Sequence, residues 1–348
     1  MGSLGSDPRL PPVLDFSAFR GSDQAAKAEF LQALGQACRD KGFFQLTNHG
    51  VAASLQERIF AASKEFFSLP LEEKLKAKLG PSTRGRGYET IGGQMLEPGA
   101  APDTKEAIYL GQDLGEDDAR VVKGEYGCGP NIYPSSLGRE WHATCMEYLE
   151  AMKTLARDVM RALAAALDLR EDFFDRFTDT DPAATLRLVH YPPTPTTSQL
   201  ERGCGAHRDF GCITLLLQDA VGGLQVQDEV TGDWLDVAPV PGAYVVNLGN
   251  LMARWTNHHY TSNTHRVLNH SPCHRYSIPF FYSGNPAHTL ETIPGLERTP
   301  LSLARKYGPP IPVNPYPPVS VADFLHDQFV QSYKRAEEYR PTPPELTT

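Results

Sequence analysis

Three short segments in the second half of the chain carry side chains that are suited to binding a metal ion and an acid. They are His207-Arg208-Asp209, His265-Arg266-Val267 and Arg275-Tyr276-Ser277. Two imidazoles and one carboxylate can occupy one face of an octahedral ion and leave three positions open for substrate and O₂. The guanidinium and hydroxyl of the third segment are suited to holding an acid. Together these residue types predict oxygen chemistry at iron.

A structural zinc site is the first alternative for such a cluster. Structural zinc is closed by four ligands, usually including thiolates, and the sequence contains no Cys-x-x-Cys pair. A His-x-Asp tripeptide alone carries little weight, because it is expected by chance at roughly even odds in a chain of this length. The interpretation therefore depends on where the surrounding elements place these residues.

Length and composition are those of an ordinary globular protein. The 348 residues are 41% hydrophobic and 22% charged, so the chain can bury a substantial core without disulfide bonds. The formal net charge of −9 argues against a nucleic-acid partner, since affinity for phosphate comes mainly from Lys and Arg. We expect a small-molecule substrate and a monomer or weak dimer.

The cysteines indicate a reducing compartment. They are scattered along the chain at Cys38, Cys128, Cys145, Cys204, Cys212 and Cys273. The sequence shows no apolar leader and no apolar run long enough to span a bilayer. These features predict reduced thiols in a cytoplasmic protein that has no membrane partner.

The first half of the chain alternates short strands with amphipathic helices. Strands are predicted at Val13–Phe16 and Phe43–Leu46, and helices at Ala25–Arg39 and from Leu55 to the Pro70 stop. The clearest helix, Ala143–Leu169, has apolar residues at three- and four-residue spacing and should support a sheet. Between Leu79 and about Leu137 the periodicity fails, and we expect this loop-rich stretch to lie over a pocket.

Beyond Thr185 the pattern changes to short runs separated by turn residues. Strands are predicted at Leu186–Tyr191, Cys212–Gln218, Leu224–Gln227, Trp234–Val237, Ala243–Leu248, Arg266–Asn269 and Tyr276–Tyr282. Many short strands at near-regular spacing are typical of a sandwich or barrel, so this half is predicted to be all-β. A Pro-rich spacer at Pro309–Pro318 and a last helix at Val321–Tyr339 follow.

The candidate ligands fall at strand ends in this map. His207 and Asp209 stand two apart just before the Cys212–Gln218 strand, so in an extended conformation both side chains point to one face. His265 begins another strand, and strand ends from opposite sheets can meet at the mouth of a barrel. The remaining histidines lack such company, and we expect ordinary core or surface roles for His49, His142, His258, His259, His270, His274, His288 and His326.

The acid-binding pair follows the same alternation. Arg275 and Ser277 share one face of a strand and can together hold a carboxylate. Pairing of Arg275 with a protein acid is the common alternative. A guanidinium that faces into the same barrel as a metal needs a compensating anion, however, and a small dicarboxylic acid is well suited.

Longer motifs occur in a fixed order along nearly the whole chain. They are Pro12-Val13-Leu14-Asp15, Gly42-Phe43-Phe44-Gln45-Leu46-Thr47-Asn48-His49-Gly50, Phe66-Phe67-Ser68-Leu69-Pro70, Arg86-Gly87-Tyr88, Gly129-Pro130-Asn131, His207-x-Asp209, Asn247-Leu248-Gly249, Trp255-Thr256-Asn257, His265-Arg266-Val267 and Arg275-Tyr276-Ser277-Ile278-Pro279-Phe280-Phe281. In these motifs the chain resembles the 2-oxoglutarate and Fe(II)-dependent dioxygenase superfamily, in the branch that contains isopenicillin N synthase. Around Arg86-Gly87-Tyr88-Glu89 it is more similar to fungal members of natural-product pathways.

The resemblance implies a mainly β fold with flanking helices, in which the core is a double-stranded β-helix, or jelly roll. We expect an N-terminal mixed α/β region with the long support helix at 1–180 and the jelly-roll core at 181–290. A C-terminal Pro-rich segment with a lid helix is expected at 291–348. The three parts are predicted to form one integrated unit.

The resemblance also implies roles for the site residues. His207, Asp209 and His265 would ligate Fe(II), and Arg275 and Ser277 would bind the distal carboxylate of 2-oxoglutarate. The implied reaction consumes O₂ and 2-oxoglutarate, releases succinate and CO₂, and oxidises a substrate C–H bond by hydroxylation, desaturation or rearrangement. Ascorbate is expected to support turnover.

Tyr191 would hydrogen-bond the other end of 2-oxoglutarate. It lies in Val189-His190-Tyr191-Pro192, where plant members usually have Asn-Tyr-Tyr-Pro, and Gly249-Asn250 replaces the usual Gly-Asp. The first departure falls in the pocket and argues against a plant-like substrate. Candidates for the substrate wall are Tyr88, Arg187, His190, Phe281 and Tyr282, with Phe324 and Phe329 of the last helix as a lid; core packing is the alternative for each.

Three other functions are compatible with parts of this pattern. An oxidase of the same fold draws its electrons from the substrate and keeps an Arg-x-Ser motif without using 2-oxoglutarate. A non-catalytic small-molecule-binding jelly roll has no need of an intact metal triad. A zinc hydrolase needs a general base near its water, and no carboxylate is obviously placed for that role.

Overall fold

Two β-sheets with helices packed on one side form the centre of this computed structural model, which describes residues 7–178, 182–193, 202–269, 271–296 and 316–338. The strands are β1 (Val13–Asp15), β2 (Phe43–Thr47), β3 (Gly87–Glu89), β4 (Glu106–Leu110), β5 (Ala183–Tyr191), β6 (Cys204–His207), β7 (Ile213–Gln218), β8 (Leu224–Gln227), β9 (Trp234–Asp236), β10 (Tyr244–Leu248), β11 (His265–Val267), β12 (Arg275–Gly284), β13 (Thr289–Leu290) and β14 (Val319–Ser320). The α-helices in these ranges are α1 (Ser17–Arg20), α2 (Gln24–Asp40), α3 (Ala53–Ser68), α4 (Leu71–Leu75), α5 (Ala119–Val122), α6 (Gly138–Ala165), α7 (Asp175–Thr178), α8 (Asn250–Trp255) and α9 (Val321–Glu338).

The strands are divided between a large and a small sheet. The large sheet has eight strands in the order β1-β2-β10-β7-β12-β5-β4-β3, and the small sheet has four in the order β6-β11-β8-β9. Strands β13 and β14 form a separate two-stranded ribbon. The predicted mainly β jelly roll with flanking helices is therefore confirmed. None of the helices in the described ranges is long and apolar enough to cross a membrane.

Side chains of the large sheet alternate between two faces. On β12, Ile278 and Phe280 point into a core that they share with α6. Arg275 and Ser277 occupy the alternate positions, opposite Tyr191 and Val189 of β5, and the latter two pack with apolar residues of the small sheet. The large sheet thus has a helix face and an inner face, and the inner face lies against the small sheet.

Helix α6 covers the helix face of the large sheet, as the sequence predicted. Its 28 residues begin at Gly138, five positions before the predicted start, and end at Ala165. Met152, Leu155 and Met160 are among its fully buried side chains. Its apolar stripe gives the central strands a rigid support and keeps water from that face.

Three predictions about elements were wrong. The stretch from Leu79 to Leu137 is not only loop, because it contributes β3 and β4 to the large sheet. Both strands are buried at every position, and a strand that is buried on both faces shows no alternation for a periodicity argument to detect. The second half is not all-β either, because α8 follows β10 directly and places Leu251, Met252 and Trp255 in the core. The third is the missed strand β6, which carries His207.

The proposed division of the chain at residues 180 and 290 stays a prediction. Strands from both sides of residue 180 share the large sheet, and β14, from beyond residue 290, pairs with β13. The predicted spacer Pro309–Pro318 lies outside the described residues as far as position 315. The last helix begins at the predicted Val321.

The packing of α6 predicts how core and surface substitutions in this helix change the free energy of unfolding. Leu163 is fully buried in the core beneath the large sheet, so Leu163→Ala should lower the free energy of unfolding by about 2–5 kcal/mol through lost contacts and a residual cavity. Thr154→Ala, at an exposed position of the same helix, should change it by less than about 0.5 kcal/mol. Urea denaturation of both variants measures the difference, and equal losses would contradict this role for α6.

Candidate active site

Antiparallel pairing within the small sheet brings the two candidate histidines together. His265, the first residue of β11, lies directly opposite His207, the last residue of β6. Their ring centroids are 4.3 Å apart. Asp209 follows two residues later, in the connection between β6 and β7. The predicted trio therefore meets, with His207 at the end of β6 and Asp209 in the connection that follows it.

The three side chains point their ligand atoms at one small volume. Asp209 Oδ1 lies 3.4 Å from His207 Nε2 and 3.7 Å from His265 Nε2. All three ligand atoms lie within 4.8 Å of one another, and no other group of this kind occurs among the residues that the structure describes. Two imidazole nitrogens and one carboxylate oxygen fit a first-row divalent ion that keeps open positions.

Backbone carbonyl groups fix the orientation of both rings. His207 Nδ1 donates to the carbonyl of Gly205 at 2.7 Å, and His265 Nδ1 donates to the carbonyl of Asn263 at 3.2 Å. A hydrogen on Nδ1 leaves the Nε2 lone pair free for a metal, and this arrangement is the usual outer support of metal-ligating histidines. Both rings are therefore held ready to ligate through Nε2.

Two polar side chains of the large sheet hold the second carboxylate oxygen of Asp209. Thr214 Oγ1 donates to Asp209 Oδ2 at 2.5 Å, and Asn247 Nδ2 donates to it at 2.6 Å. Thr214 and Asn247 are register partners in β7 and β10. Their role was not predicted from the sequence, in which each is only a single polar residue inside an apolar run.

Burial and mutual proximity set the charges of the trio. Burial favours the neutral carboxyl, but the two adjacent imidazoles outweigh it, so the pKa of Asp209 lies well below its ordinary value. Burial and the neighbouring His207 lower the pKa of His265 to about 4. Burial also acts to lower the pKa of His207, but Cys204 and Asp209 outweigh it and raise that pKa well above its ordinary value.

Arg275 is a fully buried cation on the inner face. Within the described part of the chain its hydrogen bonds go to neutral acceptors, namely the Gly222 carbonyl at 2.5 Å and, at 3.3 Å each, Ser277 Oγ and Gln218 Oε1. A buried guanidinium without a carboxylate is costly, so this arrangement fits a site for a bound anion.

Two neighbours of Arg275 strengthen the fit to an anionic ligand. Gln218 Nε2 is buried and has no hydrogen-bond partner among the described residues, so a second donor beside the guanidinium lacks an acceptor. Tyr191 lies opposite Arg275 in the β5–β12 ladder. Its ring centroid is 4.7 Å from the guanidinium carbon. The structure thus places Arg275, Ser277 and Tyr191 together, as the sequence analysis expected.

Two of the residues named for the substrate wall lie on the inner face. Phe281 is partly exposed and is the register partner of Thr214, which holds Asp209. Arg187 is buried, forms an ion pair with Glu89 and stacks 4.4 Å from the ring centroid of Tyr109. Their role in substrate binding stays a prediction.

Three others are corrected, because strand alternation turns them to the helix face. Tyr88 packs 5.8 Å from Phe66 between ring centroids, and Tyr282 donates to the Thr178 carbonyl at 3.1 Å. His190 pairs with Glu106, with Nδ1 2.7 Å from Oε1. Each of these side chains is buried on the opposite side of the large sheet from Arg275.

The two residues named for the lid belong to α9. Phe324 is partly buried against the helix-face core, and its ring centroid lies 5.9 Å from the guanidinium carbon of Arg254. The side chain of Phe329 lies outside the described residues. A lid formed by this helix therefore stays a prediction.

Two family profiles match the chain in sequence. The profile of the N-terminal domain described as "non-haem dioxygenase in morphine synthesis N-terminal" matches residues 11–136. The profile of the 2OG-Fe(II) oxygenase superfamily matches residues 182–284, a range that contains the histidine–aspartate trio and Arg275.

Individual proteins match over most of the chain. The 2-oxoglutarate-Fe(II) type oxidoreductase hxnY of Emericella nidulans is 47% identical over 96% of this chain and 93% of its own length. The clavatol oxidase claD of Penicillium crustosum is 36% identical over 79% of this chain and 84% of its own. The crystal structure of a full-length Neurospora crassa protein in complex with alpha-KG and thymine superposes with a TM-score of 0.80 at 29% identity, covering 94% of this chain and 99% of that one.

The support of Asp209 by the large sheet is testable with an isosteric change. Thr214→Val removes the hydroxyl that donates to Asp209 Oδ2 and should weaken divalent-metal affinity about tenfold, the usual effect of losing an outer hydrogen bond. Thr185→Val, at a neighbouring inner-face position, serves as the control and should bind as the parent does. Titration of the metal-free proteins with Co(II), followed by visible absorption, measures both affinities; equal values would contradict the support role.

Proposed function

The chain belongs to the 2OG-Fe(II) oxygenase superfamily, and on that premise we propose that His207, Asp209 and His265 hold its Fe(II). Arg275 and Ser277 would hold the distal carboxylate of 2-oxoglutarate. The enzyme is a non-haem Fe(II)- and 2-oxoglutarate-dependent dioxygenase. The observation that carries the ligand assignment is the convergence of two Nε2 atoms and one carboxylate oxygen, each fixed by a hydrogen bond on its far side.

Bound iron and 2-oxoglutarate supply the oxidising chemistry, in which O₂ is consumed and succinate and CO₂ are released. The residues of the chain supply position and charge. Arg275 and Ser277 would anchor one end of 2-oxoglutarate so that its other end reaches the ligand trio. Gln218 Nε2 would donate a further hydrogen bond to the distal carboxylate, and Tyr191 would hydrogen-bond the other end of 2-oxoglutarate. Burial of Arg275, Ser277 and Tyr191 strengthens each of these contacts.

We propose that the primary substrate is a small molecule of natural-product type. The relatives support this, because one is named a clavatol oxidase and a solved neighbour holds thymine. Phe281 and Arg187 are the inner-face residues proposed to contact it, and Phe324 is proposed for the lid. Such a wall combines an apolar ring with a polar group, which suits a partly apolar ring compound.

An oxidase that does not use 2-oxoglutarate is not favoured. Of the relatives named above, one is described as a 2-oxoglutarate-Fe(II) enzyme and another has alpha-KG bound, and the fully buried Arg275 needs an anion. A non-catalytic binding protein would have no use for the ligand trio.

We also propose that the protein acts in the cytoplasm, without a nucleic-acid partner, as a monomer or weak dimer. All six cysteine thiols are free, which suits a reducing compartment. The net charge of −9 disfavours binding to phosphate backbones.

The reaction class predicts turnover that depends on the trio. The purified chain, given Fe(II), ascorbate, O₂ and 2-oxoglutarate, should form succinate, and His207→Ala should abolish it because one of three iron ligands is lost. His142→Ala is the matched control, since His142 lies on α6 and pairs with Asp113, and it should keep the parental rate. No succinate from the parent, together with zinc that resists exchange for iron, would contradict the proposal.

Removing the Arg275 guanidinium should weaken the use of 2-oxoglutarate without changing the iron content. Arg275→Met should raise the KM for 2-oxoglutarate roughly 10- to 100-fold, the effect of losing hydrogen bonds to a charged group, while iron content stays stoichiometric. Arg266→Met is the control, because Arg266 stacks on Trp234, and its KM should match that of the parent. Loss of iron in Arg275→Met would mean that Arg275 has another role. Ser277→Ala, a smaller change on the same face, should raise the KM in the same direction.

A further inference from the structure

The strand that carries His207 is irregular directly before that residue. Strand β6 lies at the edge of the small sheet. His207 lies opposite His265 and Cys204 lies opposite Val267, with a register shift between the two pairs. Three steps along β6 thus match two steps along β11, which is a β-bulge of one extra residue. The bulge disrupts the regular hydrogen-bond ladder at Gly205 and Ala206, the two residues between Cys204 and His207.

Two carboxylates from a preceding loop accept the backbone N–H groups at this bulge. The Gly205 N–H donates to Asp103 Oδ1 at 2.9 Å, and the Ala206 N–H donates to Glu97 Oε2 at 2.9 Å. Thr104 also donates from its backbone N–H to the Arg202 carbonyl at 2.9 Å. Residues 92–105, which we call the strap, therefore contact the open edge of β6 through Glu97 and Asp103, and contact the residue that leads into it through Thr104.

The strap carboxylates are themselves fixed. Asp103 forms an ion pair with Lys105, and both side chains are 2% exposed. Glu97 Oε2 also accepts from Arg202 Nε at 3.2 Å. Two carboxylates that are paired in this way have a defined position.

The strap approaches the bulge so closely that only glycine fits at position 205. A Cβ added to Gly205 would lie 2.8 Å from both the backbone N and the Cβ of Glu97. Any side chain there would push the strap away from β6. The glycine in Cys204-Gly205-Ala206-His207 therefore allows the strap backbone to come into close contact with β6.

Gly205 connects the strap to the metal ligand. Its N–H donates to Asp103, and its carbonyl accepts from His207 Nδ1 at 2.7 Å. The other ligand strand, β11, lies between β6 and β8, so sheet pairing holds His265 from both sides. Strand β6, which carries His207, has ladder support on one side, and on its other side the strap contacts Gly205 and Ala206.

We propose that Glu97 and Asp103 are positioning residues for the metal ligand His207, acting through the β6 bulge. The inference rests on the proposed metal site and is independent of 2-oxoglutarate. Without the carboxylates, the buried N–H of Gly205 and the partly buried N–H of Ala206 lose their acceptors, and the Gly205 carbonyl that orients His207 is free to shift. Loss of an outer partner of a metal-ligating histidine typically weakens metal binding 10- to 100-fold.

The test is a Co(II) titration of the full-length, metal-free protein, followed by visible absorption without 2-oxoglutarate or substrate. Glu97→Met should weaken affinity about tenfold and change the Co(II) absorption bands, because the geometry at His207 changes. Glu97→Gln keeps an acceptor for Ala206 and should restore affinity to within about twofold of the parent. Asp103→Ala should show the same loss as Glu97→Met. Because Asp103→Ala leaves Lys105 buried without its carboxylate, it could also destabilise the fold. Glu97 is only partly buried, so Glu97→Met is the variant less prone to misfolding.

The control is Asp118→Asn. Asp118 likewise accepts a backbone N–H and pairs with an arginine, in both cases Arg120, but it caps α5 and has no contact with β6. It should leave Co(II) affinity and spectrum unchanged. Thermal unfolding of the metal-free variants separates lost stability from lost positioning. If Glu97→Met and Asp103→Ala bind Co(II) as tightly as the parent with the same spectrum, the proposal is wrong. If the parent itself binds no Co(II), the proposed metal site fails and the inference falls with it.

Discussion

A buried carboxylate held between two sheets is the constraint on which the rest of the structure depends. Asp209 is costly to bury as an anion unless both oxygens are compensated. The large sheet supplies Thr214 and Asn247 to one oxygen, and the small sheet supplies His207 and His265 beside the other. The spacing of the two sheets therefore sets the geometry of the site. The helices on the far side of the large sheet matter because they support the strands that carry Thr214 and Asn247.

Among the described residues, the inner face carries two buried ion pairs. Glu89 pairs with Arg187 and Asp103 pairs with Lys105, and both pairs are buried. Arg275 differs, because its described hydrogen bonds go to neutral acceptors. In the proposed site, Arg275 would face the dicarboxylic co-substrate and the histidine–aspartate trio would face the iron. This division would let a single inner face bind both.

The sequence predicted the elements whose side chains repeat with a clear period and missed those that do not. Helix α6 and strand β12 show their periods plainly. Strands β3 and β4 are buried on both faces, and β6 is short and bulged, so none of them alternates. The sequence singled out the trio and Arg275 because their residue types fall together at strand ends, and their roles stay a proposal. His190 and Tyr282 were misplaced although the sequence held the correction: each stands next to an inner-face residue, so alternation turns it away.

Anaerobic crystals grown with Fe(II) and 2-oxoglutarate, with diffraction recorded on both sides of the iron absorption edge, test the central claim most directly. We predict one anomalous peak, coordinated by His207 Nε2, Asp209 Oδ1 and His265 Nε2, with the distal carboxylate of 2-oxoglutarate against Arg275 and Ser277. An iron peak coordinated by other side chains, or a co-substrate whose carboxylate lies away from Arg275, would contradict the account.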